Sequence, residues 1–286
     1  LQERVILARE SEALASKTTA TVESRVDAGA APDAELLRAR AIGSQARLTV
    51  SQIDRELEVA KVALASFWGG RRGNVLAADG DLFKFGSSID FEKLYQRSVD
   101  SPGIQIFASQ ERLQNSAVNL AKSRSKLDLR WSLSMRRLEG PGDTALVASI
   151  EMPLFSGRRN RGNVVAAIAA REEVPIRREQ ALNELYARLF DGYRTRAQSI
   201  EASRTLQDET IPALEQATST TRRAYESGLY GYLDLIAAQQ ALVDAKASLI
   251  DTASAALQAG VIIEQLTGLS LADSDAAQQL RKEHVR

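Results

Sequence analysis

The sequence predicts a mainly α-helical protein built from two long antiparallel helical hairpins, with one β-hairpin between them. Two observations lead to this fold class. A glycine turn at Gly29 is repeated at Gly228, and the helix that follows each turn aligns to its end, where Gly69 matches Gly268. Between the two copies, apolar residues change from a helical period to strict alternation. Self-similarity at a fixed spacing, here 199 residues, indicates that one structural unit occurs twice.

The helix that follows the first turn carries a heptad pattern. One set of seam positions is Leu36, Gly43, Val50, Leu57 and Leu64, and the other is Ala39, Ala46, Ile53, Ala60 and Phe67. One set is mostly large and the other mostly small, and the second copy repeats this pattern, so the helices are expected to pack closely and supercoil. Each predicted helix is about 32 residues, or roughly 48 Å, long. The helices before the turns, roughly 1–26 and 174–225, then run antiparallel to them. The pattern also suits an ordinary coiled-coil scaffold.

Two stretches of alternating apolar residues flank a polar turn at 139–143. Leu127 begins the first stretch, and we assign the following residues to one lipid-facing surface: Leu129, Trp131, Leu133, Met135, Leu146, Ala148, Ile150, Met152 and Leu154. Two isolated strands are marginal in water, and a bilayer tolerates only a closed sheet. Apolar residues facing out and polar residues facing in are typical of an outer-membrane barrel. An amphipathic hairpin packed on a soluble core is the alternative.

Composition excludes several classes of function. The 37 basic and 37 acidic residues balance, which argues against nucleic-acid binding. Cysteine is absent, and the single histidine, His284, lies in a charged tail, so a thiolate site, a histidine-based triad or a histidine zinc site cannot be built. No phosphate-binding loop occurs. We therefore predict no enzyme activity, no cofactor and no resident metal.

The predicted domains follow the repeat. They are a first helical hairpin at 1–70, an equatorial segment and helix at 71–126, a β-hairpin at 127–155, a second helical hairpin at 156–268 and a tail at 269–286. A small strand is predicted at 79–83. No run of eighteen apolar residues is present, so no transmembrane helix is expected. Leu1 falls part-way through the first copy, so we expect the natural protein to extend upstream, with a sister β-hairpin there.

Several motifs resemble the TolC-like outer-membrane factors of Gram-negative tripartite efflux systems. The segment 225–229, Tyr-Glu-Ser-Gly-Leu, with 233–239 after it, resembles the family's periplasmic tip, and 266–268, Leu-Thr-Gly, resembles a helix end. The stretch from Arg136 to Asn163, which includes Met-Pro-Leu-Phe at 152–155, resembles the CzcC-like heavy-metal branch of resistance–nodulation–division (RND) systems. The resemblance covers nearly the whole chain.

The resemblance implies a homotrimer that forms one passive duct. A β-barrel would cross the outer membrane in contact with its lipid, and a helical barrel would cross the periplasm. The tips would meet a periplasmic adaptor protein coupled to an RND inner-membrane pump, and the cargo would be divalent heavy-metal cations. An organic cargo, or a soluble coiled-coil scaffold or stalk without a pore, are the alternatives.

Residues at the two tips are the expected sites of adaptor docking and gating. They are Asp27, Gly29, Tyr225, Gly228, Leu229, Tyr230 and Asp234. Asp234 and Glu35 also suit a purely structural role, as first-turn acids near the positive end of a helix dipole. The first tip lacks the Gly-Leu-Tyr character of the second, so the second tip is the stronger prediction.

Overall fold

A computed structural model describes residues 1–69, 77–126, 129–137, 144–152 and 156–271. The predicted lipid-facing Leu154, together with Leu127 and His284, lies outside the described residues. The elements are α1 (Gln2–Asp27), α2 (Asp33–Ser66), α3 (Phe91–Val99), α4 (Pro102–Arg124), β1 (Arg130–Arg137), β2 (Thr144–Glu151), α5 (Ser156–Thr205), a π-helical turn (Leu206–Thr210), α6 (Ile211–Glu226) and α7 (Tyr232–Thr267). Long helices with one β-hairpin between them confirm the predicted fold class.

The two helical hairpins end in the same backbone turn. Gly29 and Gly228 have φ angles of 69° and 79°, in the left-handed region that glycine enters without steric strain. The residue after each glycine donates its N–H to the carbonyl oxygen five positions earlier: Ala30 to Arg25 at 2.7 Å, and Leu229 to Ala224 at 2.8 Å. These bonds satisfy carbonyl groups that a helix end leaves unpaired. The turn geometry therefore confirms the internal repeat.

Packing within each hairpin is also repeated. The Thr19 hydroxyl donates to the Ala39 carbonyl oxygen across the first hairpin at 3.2 Å, and the Thr218 hydroxyl donates to the Ala238 carbonyl oxygen across the second at 3.1 Å. The two residues whose carbonyl oxygens accept these bonds, Ala39 and Ala238, belong to the mostly small set of seam positions. The small positions of the heptad pattern thus bring the two helices close enough for side chain to backbone bonds.

The helical rod from Ser156 to Glu226 differs from the prediction in two ways. Its first helix begins at Ser156, well before residue 174, and continues through Pro175. It is then interrupted by the π-helical turn, two residues before Pro212. Proline lacks an N–H, and its ring clashes with the carbonyl group four residues earlier, here in Asp208. The wider π-helical turn accommodates this by taking in one extra residue. The first copy has Ala13 at the corresponding position, and α1 is uninterrupted there.

The β-hairpin pairs its two strands in one antiparallel register. Cross-strand partners on one face are Trp131 with Ile150, Leu133 with Ala148 and Met135 with Leu146. On the other face, the hydroxyl groups of Ser132 and Ser149 lie 2.8 Å apart. Trp131 and Ile150 are each 75 % exposed, so the described part of the chain leaves this apolar face uncovered. Leu129 and Met152 lie just outside the strands, at the ends of the same alternation.

The chain divides into two compact units. The first contains residues 1–88 and 191–264 with the segment that begins at 269, and the second contains 89–190 with 265–268. In the second unit, the rings of Phe91, Tyr95, Tyr186 and Phe190 join α3 to α5 through edge-on contacts between 5.2 and 5.5 Å. In the first unit, the strand predicted at 79–83 is wrong, because Asp81 accepts the Phe83 N–H at 2.9 Å and forms a turn.

The helices of the described ranges include no stretch that is both long and apolar enough to cross a membrane.

Candidate functional site at the hairpin tips

Four helices meet at the tips and bury a small core. Its members, which we call the tip cluster, are Val22 of α1, Ala39 of α2, Tyr225 of α6, and Tyr232 and Leu235 of α7. Burial of aromatic and aliphatic surface is the main favourable contribution to such packing. The tip cluster therefore joins the two hairpins at the ends that the sequence marks with glycine turns.

Tyr225 makes the polar contacts that link the hairpins. Its hydroxyl group donates to a carboxylate oxygen of Glu35 on α2 at 3.0 Å. The Arg25 guanidinium lies 4.3 Å from the centroid of the Tyr225 ring, in cation–π geometry. Arg25 also donates to the Tyr225 carbonyl oxygen and, at 3.1 Å, to the carbonyl oxygen of Ala30. One arginine of the first hairpin thus holds both glycine turns.

The tip cluster disfavours ionisation of Tyr225 and Tyr232. Burial, followed by the hydrogen bond to Glu35 and the charge of that carboxylate, raises the pKa of Tyr225 to about 12. Burial and the Glu35 charge also raise the pKa of Tyr232. The Tyr232 hydroxyl and the Arg25 Nε are buried without a hydrogen-bond partner within the described chain. Such a group typically costs about 1–3 kcal/mol, so this arrangement of the tip leaves two polar atoms unsatisfied within the described residues.

The raised pKa of Tyr225 gives a pH-dependent contribution to stability. A tyrosine whose pKa is higher in the folded protein stabilises the fold fully below pH 10, and this contribution is lost as the pH rises from 10 to about 12. We expect a spectrophotometric tyrosine titration to show one group ionising near 12, and Tyr225→Phe to remove it. Loss of a group that titrates near 10 instead would contradict this assignment. Glu35→Gln should lower the pKa of Tyr225.

The structure separates the predicted tip residues into two groups. Leu229 is 79 % exposed and Tyr230 is 52 % exposed, so both offer apolar surface to a partner. Tyr225 is only 1 % exposed, so it packs inside the tip and its ring presents no docking surface. Asp27, Gly29 and Gly228 lie exposed around the turns. Asp234 is exposed and accepts the Gly231 N–H at 3.0 Å, which is the contact of a first-turn acid that caps α7.

Sequence reasoning did not find Arg25 or Tyr232, and it assigned Glu35 a first-turn structural role, with gating or docking as the alternative, without predicting its contact with Tyr225. Arg25 lies in the last turn of α1, where a cation is expected for local reasons alone. The usable signal was the pair of tyrosines, Tyr225 and Tyr232, on either side of the second glycine turn. Among the described residues, no group of acidic, histidine or cysteine side chains is arranged to hold a metal ion.

The chain is similar to known proteins over most of its length. The family model described as "Outer membrane efflux protein" matches residues 95–269. The chain is 26 % identical over 267 residues to the cobalt-zinc-cadmium resistance protein CzcC of Cupriavidus metallidurans, which covers 93 % of this chain and 64 % of that protein. The chain thus spans less than two thirds of this relative's length.

Two solved structures show the same fold. CusC, a protein whose structures concern transmembrane channel formation, has a TM-score of 0.76 at 17 % identity, with 92 % of this chain and 64 % of that chain covered. The outer membrane protein VceC of Vibrio cholerae has a TM-score of 0.73 at 18 % identity, with 94 % and 66 % covered. The chain therefore belongs to the outer membrane efflux protein family, whose members are channels of the Gram-negative outer membrane and not enzymes.

Proposed function

We propose that the chain is one subunit of a homotrimeric duct through which divalent heavy-metal cations leave the cell. The similarity to a cobalt-zinc-cadmium resistance protein over 93 % of the chain supports this cargo. Transport through the duct is passive, and an RND pump in the inner membrane supplies the energy. Weak polar lining suits conduction because tight binding would prevent release.

The β-hairpin supports a barrel built from several copies. Among the described residues, its apolar face is exposed along its whole length, and each strand of the two-stranded sheet has one edge without a partner strand. A bilayer tolerates strands only when every edge is paired, so the expected sister β-hairpin and strands from neighbouring copies complete the sheet. The alternation of this hairpin then places Trp131, Leu133 and Ile150 against lipid and the serine pair toward the lumen.

We assign docking and gating to two different sets of residues at the tips. Leu229, Tyr230 and Leu233 are exposed on the second hairpin and form an apolar surface that a periplasmic adaptor can cover. Tyr225, Glu35 and Arg25 form the contacts that hold the hairpins together. Opening the duct requires these internal contacts to break while the exposed surface stays bound to the adaptor.

The cargo is tested by deleting the gene in its host and restoring it on a plasmid. We expect the deletion to lower the tolerated concentrations of cobalt, zinc and cadmium salts, and the plasmid to restore them. The same strains are tested with organic toxicants. Sensitivity to organic compounds with unchanged metal tolerance would contradict the proposed cargo and identify a duct for organic compounds.

Leu229→Asp is expected to abolish metal export while trimers persist in the membrane. The change places a charge in the proposed adaptor surface, where it remains solvated in the free protein but is unpaired in the complex. Gly228 is the wrong place for this test, because its φ of 79° strains any other residue. Metal tolerance and co-purification of the adaptor are the measurements.

The matched control is Ala30→Asp, since Ala30 occupies the same backbone position in the first turn and is also exposed. We expect it to leave export nearly unchanged. Normal tolerance in the Leu229→Asp strain would show that the second tip is not the docking site.

A further inference from the structure

A local surplus of positive charge lies where α4 and α5 meet the β-hairpin. The last turn of α4 and the first two turns of α5 carry exposed bases, which we call the basic collar: Lys122, Arg124, Arg158, Arg159 and Arg161. No acidic residue occurs at 112–126 or at 156–171, although the chain as a whole is neutral. The positive charge is therefore concentrated at one level of the molecule.

Helix stability does not account for the arginines of α5. Arg158 and Arg159 lie in the first turn, at the positive end of the helix dipole, and this turn has no acidic residue to offset them. By contrast, Lys122 and Arg124 lie in the last turn of α4, where cations stabilise a helix. No carboxylate of the described residues forms an ion pair with any base of the collar. The α5 arginines thus lack a role within the described chain.

Two acidic residues lie close to the collar in the sequence. Asp128, outside the described residues, is two positions from Lys126, and Glu151 is the cross-strand partner of Arg130. Each of these acids therefore has a basic neighbour of its own, and we count neither base in the collar. The five collar bases remain as uncompensated positive charge.

The ends of α4 and α5 are joined at the collar. The Asn160 side-chain amide donates to the Ala121 carbonyl oxygen at 2.7 Å and to the Ser125 hydroxyl group at 3.1 Å. A Cβ added at Gly157 would lie only 3.3 Å from the Ser125 carbonyl oxygen, so the two backbones approach closely there. The bases of the two helices are consequently held side by side.

Asn160 determines the directions in which the collar arginines of α5 point. Successive residues are about 100° apart around an α-helix, and Asn160 faces α4, so Arg159 and Arg161 point to opposite sides. Because α4 leads into β1, α5 follows β2, and these strands pair, α4 and α5 are neighbours in one wall. Each face of this wall therefore carries either Arg159 or Arg161.

The collar adjoins the apolar face of the β-hairpin. Leu129 and Met152, at the helix end of this face, are both exposed, and they lie within six residues of Arg124 and Arg158. Trp131 is at the same end of β1, and exposed aromatic residues typically mark the level where hydrocarbon meets headgroups. The bases thus follow directly after the surface that we propose to contact lipid.

We infer that the basic collar binds the anionic headgroups of phospholipids in the periplasmic leaflet of the outer membrane. This inference rests on the proposed crossing of that membrane by the β-hairpin. An arginine guanidinium binds two phosphate oxygens at once and stays charged at physiological pH. Each base near an anionic membrane surface raises affinity about fivefold. The collar thereby gathers anionic lipid around each subunit and fixes the depth of the duct in the membrane.

The test measures which lipids contact Trp131 in the complete protein. The protein, with every other tryptophan replaced by phenylalanine, is reconstituted in phosphatidylcholine vesicles, where brominated lipids quench Trp131 fluorescence on contact. Brominated phosphatidylglycerol, which is anionic, is compared with brominated phosphatidylcholine at the same mole fraction. We expect phosphatidylglycerol to bind several-fold more tightly. About 1 M salt should remove this preference, because the Debye length then falls to about 3 Å.

Neutralising the collar should remove the preference as well. The test variant replaces the three collar arginines of α5 by glutamine, and we expect it to bind both lipids almost equally. The matched control removes the same charge from exposed arginines further along α5: Arg178→Gln, Arg188→Gln and Arg194→Gln. It should keep the preference. As single changes, Arg159→Gln and Arg161→Gln should differ, since only one of these residues faces outward.

The outcomes separate this inference from the proposed duct. Quenching by both lipids to the same extent in the unsubstituted protein, or an undiminished preference in the test variant, would overturn the collar and leave the membrane crossing intact. Loss of the preference in the matched control would assign it to overall charge and also overturn the collar. Absence of quenching by either lipid would show that Trp131 does not meet lipid and would overturn both proposals.

Discussion

Ile150→Arg is expected to prevent the protein from assembling in the outer membrane. Ile150 is 75 % exposed and faces the same side of the β-hairpin as its partner Trp131. If this side contacts lipid, an arginine there costs about 2–4 kcal/mol near the middle of the bilayer. A trimer carries three copies of the change, so the total cost is several times larger. Outer-membrane fractions probed on native and denaturing gels measure the result.

Ser149→Arg is the control, because it introduces the same side chain at the neighbouring position. Ser149 faces the opposite side of the sheet, where its hydroxyl group lies 2.8 Å from that of Ser132. This side is the proposed lumen, so the arginine stays in water and assembly should continue. Normal assembly of both variants would mean that the apolar face does not meet lipid. Failure of both would point to a general defect in the hairpin.

Tyr225→Ala is expected to hold the duct open at its periplasmic end. The substitution removes one of the two tyrosine side chains of the tip cluster, and replacing a buried aromatic residue by alanine typically costs about 3–5 kcal/mol. It also removes the hydrogen bond to Glu35 and the ring beneath Arg25. We expect higher conductance in planar bilayers and greater sensitivity of cells to a large polar antibiotic that the outer membrane normally excludes.

Two further variants show which part of the Tyr225 side chain keeps the duct closed. Tyr225→Phe keeps the ring and removes only the hydroxyl group, so it should give a smaller leak than Tyr225→Ala. Tyr230→Ala changes a neighbouring aromatic residue that is half exposed and outside the tip cluster, so it should remain closed. Equal conductance of Tyr225→Ala and the unsubstituted protein would show that the tip cluster does not control the opening.

The repeat and the strands could be predicted because their signals are local. Glycine at 29 and 228 marks a backbone angle that other residues avoid, and the seam positions mark the buried face of each helix. Alternation identified the apolar face of the β-hairpin, and the structure pairs Trp131 with Ile150 on that face. The heptad pattern alone could not distinguish a duct from a soluble scaffold. Membership in the outer membrane efflux protein family favours the duct.

The tip contacts and the π-helical turn could not be predicted because they depend on tertiary packing. Glu35 contacts Tyr225 across 190 positions of sequence, and no local sequence pattern around either residue predicts this contact. Proline also has two opposite effects in this rod: α5 continues through Pro175, whereas a π-helical turn precedes Pro212. The sequence around each proline suggests a helix boundary, and packing decides what happens.

The two glycine turns share the bond from the residue after glycine to the carbonyl oxygen five positions earlier, but different side chains flank them. Ala30 and Leu229 occupy one backbone position, and in both cases the side chain lies in water, where folding sets no requirement on it. A duplicated arm can therefore acquire a new recognition surface without altering its architecture. In a ring of three such chains, only every second hairpin tip needs a binding surface. A partner protein would then meet three apolar tips that alternate with three tips lacking such a surface.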